Sequence, residues 1–176
     1  MLVILILIAL IPAGVILNHG ISARDEPTRI EAVIARTMRH FAVPAKLRDA
    51  KNPIQLTPDV LTEASRHFAD HCAQCHGNDG RGKTEIGKSL YPKTPDMTLP
   101  TTQDLSDGEL FAIIRNGVRL TGMPAWGGDA DDADNWKLVH FIRHMPKMSK
   151  EEIQSMKKFN PISRADLEEE EFLNGK

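Results

Sequence analysis

Apolar residues fill the first seventeen positions of the chain and leave no polar face. A helix of that length spans about 25 Å, slightly less than a hydrocarbon core of about 30 Å. A helix buried in a soluble core would normally show a polar side. Residues 1–17 are therefore predicted to form a single membrane-spanning anchor, and a cleaved signal peptide is the alternative.

Apolar side chains then recur at steps of three and four residues after Pro27, which predicts an amphipathic helix. These positions are Ile30, Val33, Ile34, Met38 and Phe41. Such a stripe usually packs against its own domain, and docking on a membrane surface is the less favoured interpretation. Residues 18–56 are thus predicted to contain a juxtamembrane helix and a linker.

Residues 57–147 carry the signals of further helices, and a polar helical tail is predicted over residues 148–176. The predicted helix starts are Thr57 or Pro58, Ser106 with Glu109 completing a capping box, and Ser149 with Glu152. Another helix carries Trp136 and stops at Pro146, and the stretch between residues 77 and 100, rich in Gly and Pro, indicates a loop. No strand pattern is present, so the predicted fold class is mainly α.

Cys72, Cys75 and His76 form the pattern Cys-x-x-Cys-His, which is the attachment signature of a c-type haem. Two thiols three positions apart near a helix end can reach the two vinyl groups on one porphyrin edge, and the adjoining imidazole then lies under the iron. A disulfide closing so short a loop would constrain the unfolded chain very little. The pattern predicts one covalently attached haem c with His76 as an iron ligand.

The two cysteines could also serve in a redox-active pair or in a zinc site. A redox-active Cys-x-x-Cys pair normally sits in a strand-rich fold and does not require a histidine next to it. A structural zinc site would need further Cys or His at matched spacing, and the chain has no second knuckle. Both alternatives are less favoured than haem attachment.

A second axial iron ligand is expected among the methionines, because a thioether raises the haem potential relative to a second histidine. Met123 is the preferred candidate, since it lies between Gly122 and Pro124 in a loop that follows a helix. Met97 is the alternative, although its simpler role is packing in the core. A distal histidine is the third choice.

At this point the chain resembles the class I monohaem cytochrome c family with His/Met ligation, over roughly residues 57–146. The resemblance rests on the segments 72–77, 95–97 and 123–127, in that order. It implies a cytochrome c fold in which a helix carrying Phe68 crosses a C-terminal helix carrying Trp136.

The resemblance also implies roles for residues around the haem. The Pro95 carbonyl is expected to accept the Nδ1 proton of His76, with Pro92 as the alternative acceptor. Trp126 is expected beside the haem or near a propionate. The cofactor-binding residues predicted in this way are Cys72, Cys75, His76, Pro95, Met123 and Trp126, with His76 and Met123 on the iron.

The net charge of the chain argues against one class of partner. The net charge of −2 offers no basic surplus for nucleic acid, so no nucleic-acid partner is expected.

Arginines follow the apolar segment, which by the positive-inside rule would keep the rest of the chain in the cytoplasm. Family members receive their haem after export, and this outweighs the charge rule. We expect the haem domain on the periplasmic side of the cell membrane, tethered by residues 1–17.

The expected function is electron transfer and not catalysis, because two protein ligands leave no open position on the iron. The protein is predicted to act as a tethered carrier, or as a haem subunit of a respiratory or dehydrogenase complex, with redox proteins as partners. The alternative is a haem-based sensor or a peroxidase-like enzyme with a displaceable distal ligand. A peroxidase would usually require a second haem motif, which this sequence lacks.

Overall fold

The computed structural model describes residues 22–128 and 132–161, and the predicted anchor lies outside these ranges. The described part is helical and contains no strand, which confirms the prediction of a mainly α fold. None of its helices is long and apolar enough to cross a bilayer. The helices are α1 (Arg29–Ala42), α2 (Ala45–Arg48), α3 (Pro58–His67), α4 (Ala73–His76), α5 (Glu85–Ser89), α6 (Pro100–Gln103), α7 (Asp107–Asn116), α8 (Asp132–His144) and α9 (Lys150–Met156).

The predicted helix starts are confirmed. The Thr57 side chain accepts a hydrogen bond from the Val60 amide at 3.2 Å and caps α3. Ser106 and Glu109 exchange hydrogen bonds at the start of α7, and Ser149 with Glu152 does the same for α9. These side chains satisfy amides that the first turn of a helix leaves without partners.

The core forms where α3 crosses α8. The ring of Phe68 packs against Phe141 with centroids 5.1 Å apart, while Trp136 stacks on Phe111 at 4.1 Å. The two helices cross as expected, and the side chain of the C-terminal helix that meets Phe68 is Phe141 and not Trp136. Positions 136 and 141 point about 140° apart around a helix, so Trp136 faces α7 and Phe141 faces Phe68.

The segment after α8 packs back on the core. Met156 is 2% exposed, and the guanidinium of Arg66 lies 4.7 Å from the Phe159 ring centroid. The Asn160 side-chain amide donates to the Ala69 carbonyl at 3.0 Å and also pairs with the Asn78 side chain. Residues 148–160 thus cover part of the segment that leads into the cysteine motif, and residues 162–176 lie outside the described part.

The amphipathic helix α1 differs from expectation. Its five apolar side chains are between 53% and 77% exposed, so the prediction that the stripe packs on its own domain is wrong. The helix instead contacts the domain through polar side chains such as His40, whose Nδ1 lies 2.8 Å from Glu109 Oε1. The apolar periodicity correctly predicted the helix. It did not predict that the polar side of α1, and not the apolar stripe, faces the domain.

We predict that Phe141→Ala lowers the free energy of unfolding by about 3–5 kcal/mol, because Phe141 is 1% exposed and its removal leaves a cavity against Phe68. Phe41→Ala is the matched control, since that ring is 77% exposed, and a change within about 0.5 kcal/mol is expected. Guanidinium unfolding of the purified protein measures both. A similar loss in both variants would show that α1 packs its apolar stripe inside the domain.

Candidate haem site

The Cys-x-x-Cys-His segment begins in a widened helical turn. Residues Phe68–Cys72 form a π-helix that joins α3 to α4, and the Ala73 amide donates to the Phe68 carbonyl. Such π turns occur often at functional sites, because they re-aim the side chains that follow them. The motif ends at Gly77, whose φ of 71° is one that L side chains rarely adopt, and this conformation stops α4 directly after His76.

His76 is held as a neutral imidazole. Burial lowers the pKa of His76 to about 4, since desolvation disfavours the charged ring. Its Nδ1 is buried and has no hydrogen-bond partner in the described part of the chain. A buried ring nitrogen without a partner is rare and costly. The neutral ring is the form that binds a metal, with the other nitrogen left for an acceptor.

Both cysteines of the motif are free thiols. Burial, with a smaller contribution from Cys75, raises the pKa of Cys72 to about 12. Burial also raises the pKa of the Cys75 thiol. Both groups are therefore protonated near neutral pH, whereas a redox-active pair needs a lowered thiol pKa. Thiol–disulfide exchange is not the chemistry that this environment favours.

The zinc alternative also lacks support. No group of three or more His, Cys, Asp or Glu side chains suited to a metal ion occurs within residues 22–128 and 132–161. Two other histidines, His140 and His144, contact groups that are not in the cysteine motif. His140 Nε2 lies 2.7 Å from the Ile54 carbonyl oxygen, and His144 Nε2 lies 2.8 Å from Glu152.

Helix α5 follows the motif in the chain and contacts the end of α4. The Thr84 hydroxyl donates to the Cys75 carbonyl at 3.0 Å. The oxygen of that hydroxyl also accepts a hydrogen bond from the Gly87 amide at 2.9 Å. Gly87 lies so close that a Cβ there would be 2.4 Å from the Cys75 carbonyl oxygen. The end of α4 is thus fixed by a side-chain cap and by a backbone contact that requires glycine.

Met123 lies in the loop between α7 and α8, where it is half-buried. Its amide donates to Thr121 Oγ1 at 3.1 Å, and its carbonyl accepts from the Val118 amide at 3.1 Å. The neighbouring Gly122 packs on the Leu90 side chain just after α5. These contacts give the Met123 backbone a defined position next to the element that supports Cys75.

The other candidate methionines have roles in packing. Met97 is 6% exposed, and its carbonyl accepts from the Gln103 side chain. Met145 and Met156 are 4% and 2% exposed in the same core, and Met148 packs against that core. Among the five candidates, Met123 is therefore the one whose thioether is not used by the hydrophobic core.

Trp126 contacts the motif indirectly, through the side chain of His71. Its indole meets the His71 ring edge-on, with centroids 5.5 Å apart, and His71 directly precedes Cys72. The Trp126 amide donates to the Ile114 carbonyl at 3.1 Å, and its carbonyl accepts from Asn135. The loop after Met123 is thus held between α7, α8 and the π turn.

The predicted contact of Pro95 with His76 is not formed. His76 Nδ1 has no partner in the described residues, so neither Pro95 nor the alternative, Pro92, accepts its proton. The residues that flank Pro95 bond elsewhere. The Thr94 amide donates to the Gly87 carbonyl and the Met97 amide to the Gly80 carbonyl, which holds this loop against residues 80–87.

The residues present fit a haem. Two protonated thiols, a neutral buried imidazole and a spare methionine thioether are the donor set that Met/His cytochromes require. A bound haem would supply one-electron chemistry at its iron, while the protein sets the environment. Cys72, Cys75, His76 and Met123 are the residues that would hold it, and Trp126 lies at the edge of the same region.

Comparison with known proteins agrees with this interpretation. Residues 59–142 match the family described as cytochrome C oxidase, cbb3-type, subunit III, which is slightly under half of the chain. The chain is 32% identical over 90 residues to the cbb3-type cytochrome c oxidase subunit FixPc of Rhizobium leguminosarum bv. viciae. That alignment covers 48% of this chain and 28% of the relative, so the chain spans about a quarter of the relative's length.

These findings confirm the prediction of a c-type cytochrome. The part of the chain that spans α3 to α8 is similar to a c-type cytochrome domain, and the group that such a domain carries is haem.

Sequence reasoning missed the residues outside the motif that support it. Thr84, Gly87 and Leu90 fall in a stretch that was predicted to be loop, but residues 85–89 form α5. A threonine followed by glutamate is a weak helix-start signal. The contact of His71 with Trp126 spans the α7–α8 loop and has no sequence signature.

We predict that Thr84→Ala lowers the free energy of unfolding by about 1–2 kcal/mol, because it removes the α5 cap and the hydrogen bond to Cys75. Thr84→Ser keeps the hydroxyl and should recover most of the loss. Denaturant unfolding of the purified protein, followed by helical circular dichroism, checks both. Equal losses in the two variants would indicate that the methyl group, and not the hydroxyl, provides the support.

Proposed function

We propose that this protein is a membrane-tethered electron carrier or haem subunit, in which one haem c is attached covalently through Cys72 and Cys75 and ligated by His76 and Met123. The observation that carries the proposal is a neutral, buried His76 whose Nδ1 has no partner in the described residues, in one motif with two protonated thiols. A covalent attachment uses thiols, and an iron ligand must be an unprotonated imidazole.

The partner in this proposal is a membrane oxidoreductase complex, and the similarity to subunits of cbb3-type cytochrome c oxidases supports an oxidase. The matched region covers one cytochrome domain and does not extend into residues 1–58. Electron transfer between such partners needs a small, brief interface with complementary charge. The domain over residues 57–147 carries ten Lys and Arg against thirteen Asp and Glu, so we expect a partner surface with a basic contact area.

The proposed location is the periplasmic face of the cell membrane, with residues 1–17 as a single span. The apolar composition of that segment and the need to attach haem after export support this location. The haem domain then remains close to the membrane, where a membrane oxidoreductase can reach it.

Covalent attachment predicts a graded effect of losing each cysteine. Cys72→Ser and Cys75→Ser should each shift the α-band of the reduced pyridine complex to longer wavelength, because a vinyl group freed from its thioether rejoins the conjugated system. The double variant should release its haem into acidified acetone, while the wild type retains it. Extraction of haem from the wild type would contradict covalent attachment.

Ligation by Met123 predicts a closed iron. The wild type should show the weak near-infrared sulfur-to-iron band when oxidised and should not bind carbon monoxide when reduced. Met123→Ala should lose the band, bind carbon monoxide and have a lower reduction potential, because the thioether stabilises ferrous iron.

Met97→Leu is the matched control for this experiment, since it keeps the volume of a core methionine and should retain both properties. If the wild type binds carbon monoxide readily, the distal position is open and electron transfer through a closed site is wrong. If Met97→Leu loses the band while Met123→Ala keeps it, the ligand is Met97.

A further inference from the structure

The polar side of α1, not its apolar side, faces the cytochrome domain. Within α1, Ala32 and Arg39 are the half-buried residues, and both lie on the side opposite the stripe. The apolar side chains Ile30, Val33, Ile34, Met38 and Phe41 are 72%, 60%, 53%, 67% and 77% exposed. A surface helix of a soluble domain normally shows the reverse arrangement.

Specific polar contacts hold α1 in this orientation. His40 Nδ1 lies 2.8 Å from Oε1 of Glu109, which is 6% exposed and caps α7. Arg48 Nη1 donates to the His40 carbonyl at 3.0 Å. At the other end of α1, the Tyr91 hydroxyl donates to Glu31 Oε1 at 3.2 Å. The helix is therefore tied to the domain at both ends while its apolar stripe faces outward.

The charge of this segment differs from that of the rest of the chain. Residues 29–48 contain five basic residues against one acidic residue, Glu31, whereas the remaining residues contain 17 basic and 23 acidic. The basic residues are Arg29, Arg36, Arg39, Lys46 and Arg48. Within α1, Arg29 and Arg36 are exposed next to the stripe, and an apolar stripe beside basic side chains is the arrangement that binds anionic lipid surfaces.

The position of α1 in the chain also places it near a bilayer. The predicted span ends at residue 17, and eleven residues separate it from Arg29. That connection is at most about 40 Å long when fully extended. A second copy of this chain is a weaker candidate for covering the stripe, because two such basic segments would repel each other.

We propose that α1 lies in the membrane interface, with its apolar stripe at the boundary between headgroups and acyl chains and the cytochrome domain seated on its polar side. The bound partner is an anionic lipid surface. The helix then does more than connect an anchor to a domain, because its contacts through Glu31 and His40 fix which side of the cytochrome faces the bilayer. This inference does not depend on the haem ligands, since α1 lies outside the residues that match the cytochrome family.

The test places a nitroxide label on each side of α1 in the full-length holoprotein. Ile34→Cys lies in the stripe, and Ala35→Cys is exposed but lies about 100° further around the helix. Both labelled proteins are reconstituted in vesicles of phosphatidylcholine with a minority of phosphatidylglycerol. Accessibility of each label to oxygen, which concentrates in lipid, and to a water-soluble nickel chelate is measured by electron paramagnetic resonance.

The proposal expects the ratio of oxygen to nickel accessibility to be severalfold higher at position 34 than at position 35. Equal ratios would overturn it, because the stripe would then lie in water. Low accessibility to both reagents at position 34 would also overturn it, since a protein surface would then cover the stripe. Wild-type protein taken through the same labelling reports any background, and an unchanged visible spectrum of each variant confirms that the domain is intact.

Discussion

The crossing of α3 and α8 fixes the position of the Cys72–His76 segment, and the rest of the site depends on it. Phe68 begins the π turn that leads into the motif, and its ring is held 5.1 Å from Phe141. The ring of His76 lies 6.1 Å from the same Phe68. One apolar contact in the core therefore positions the imidazole, and helix α5 and residues 148–160 add polar contacts around the same segment.

Burial also sets the chemistry of the motif. Removing water from a side chain disfavours its charged form, which lowers the pKa of His76 and raises the pKa of both thiols. Desolvation is the main cause of all three shifts, with a smaller contribution of Cys75 to that of Cys72, and together they give a neutral imidazole and two protonated thiols in one motif. A thiol–disulfide site would instead need a group that stabilises a thiolate, so the same Cys-x-x-Cys spacing serves a different chemistry here.

Two surfaces of the domain are used for different purposes. The cytochrome domain buries its own apolar side chains in the core, whereas α1 presents its apolar side chains outward and uses polar ones to contact the domain. This arrangement connects the proposed electron transfer with the proposed membrane contact, because a carrier held in one orientation presents the same edge to a membrane partner each time. The mildly acidic domain and the basic α1 segment keep the two surfaces distinct.

The sequence by itself determined the features that depend on neighbouring residues. The capping boxes at Ser106 and Ser149, the start of α3 at Thr57 and the haem motif each involve groups at most four positions apart, so local spacing was enough to identify them. Met123 was also predicted as a ligand from its local context, and the other candidate methionines lie in the core or pack against it.

Only the tertiary structure decided the features that join distant parts of the chain. Sequence reasoning could not establish that Phe141, and not Trp136, meets Phe68, that Thr94 and Met97 direct the Pro95 loop toward residues 80–87, or that the stripe of α1 faces outward. Periodicity defines which residues share a face of a helix, but it does not define what that face contacts. Contacts and desolvation arise only when segments far apart in sequence pack together, and they set the partners and the pKa values of the site.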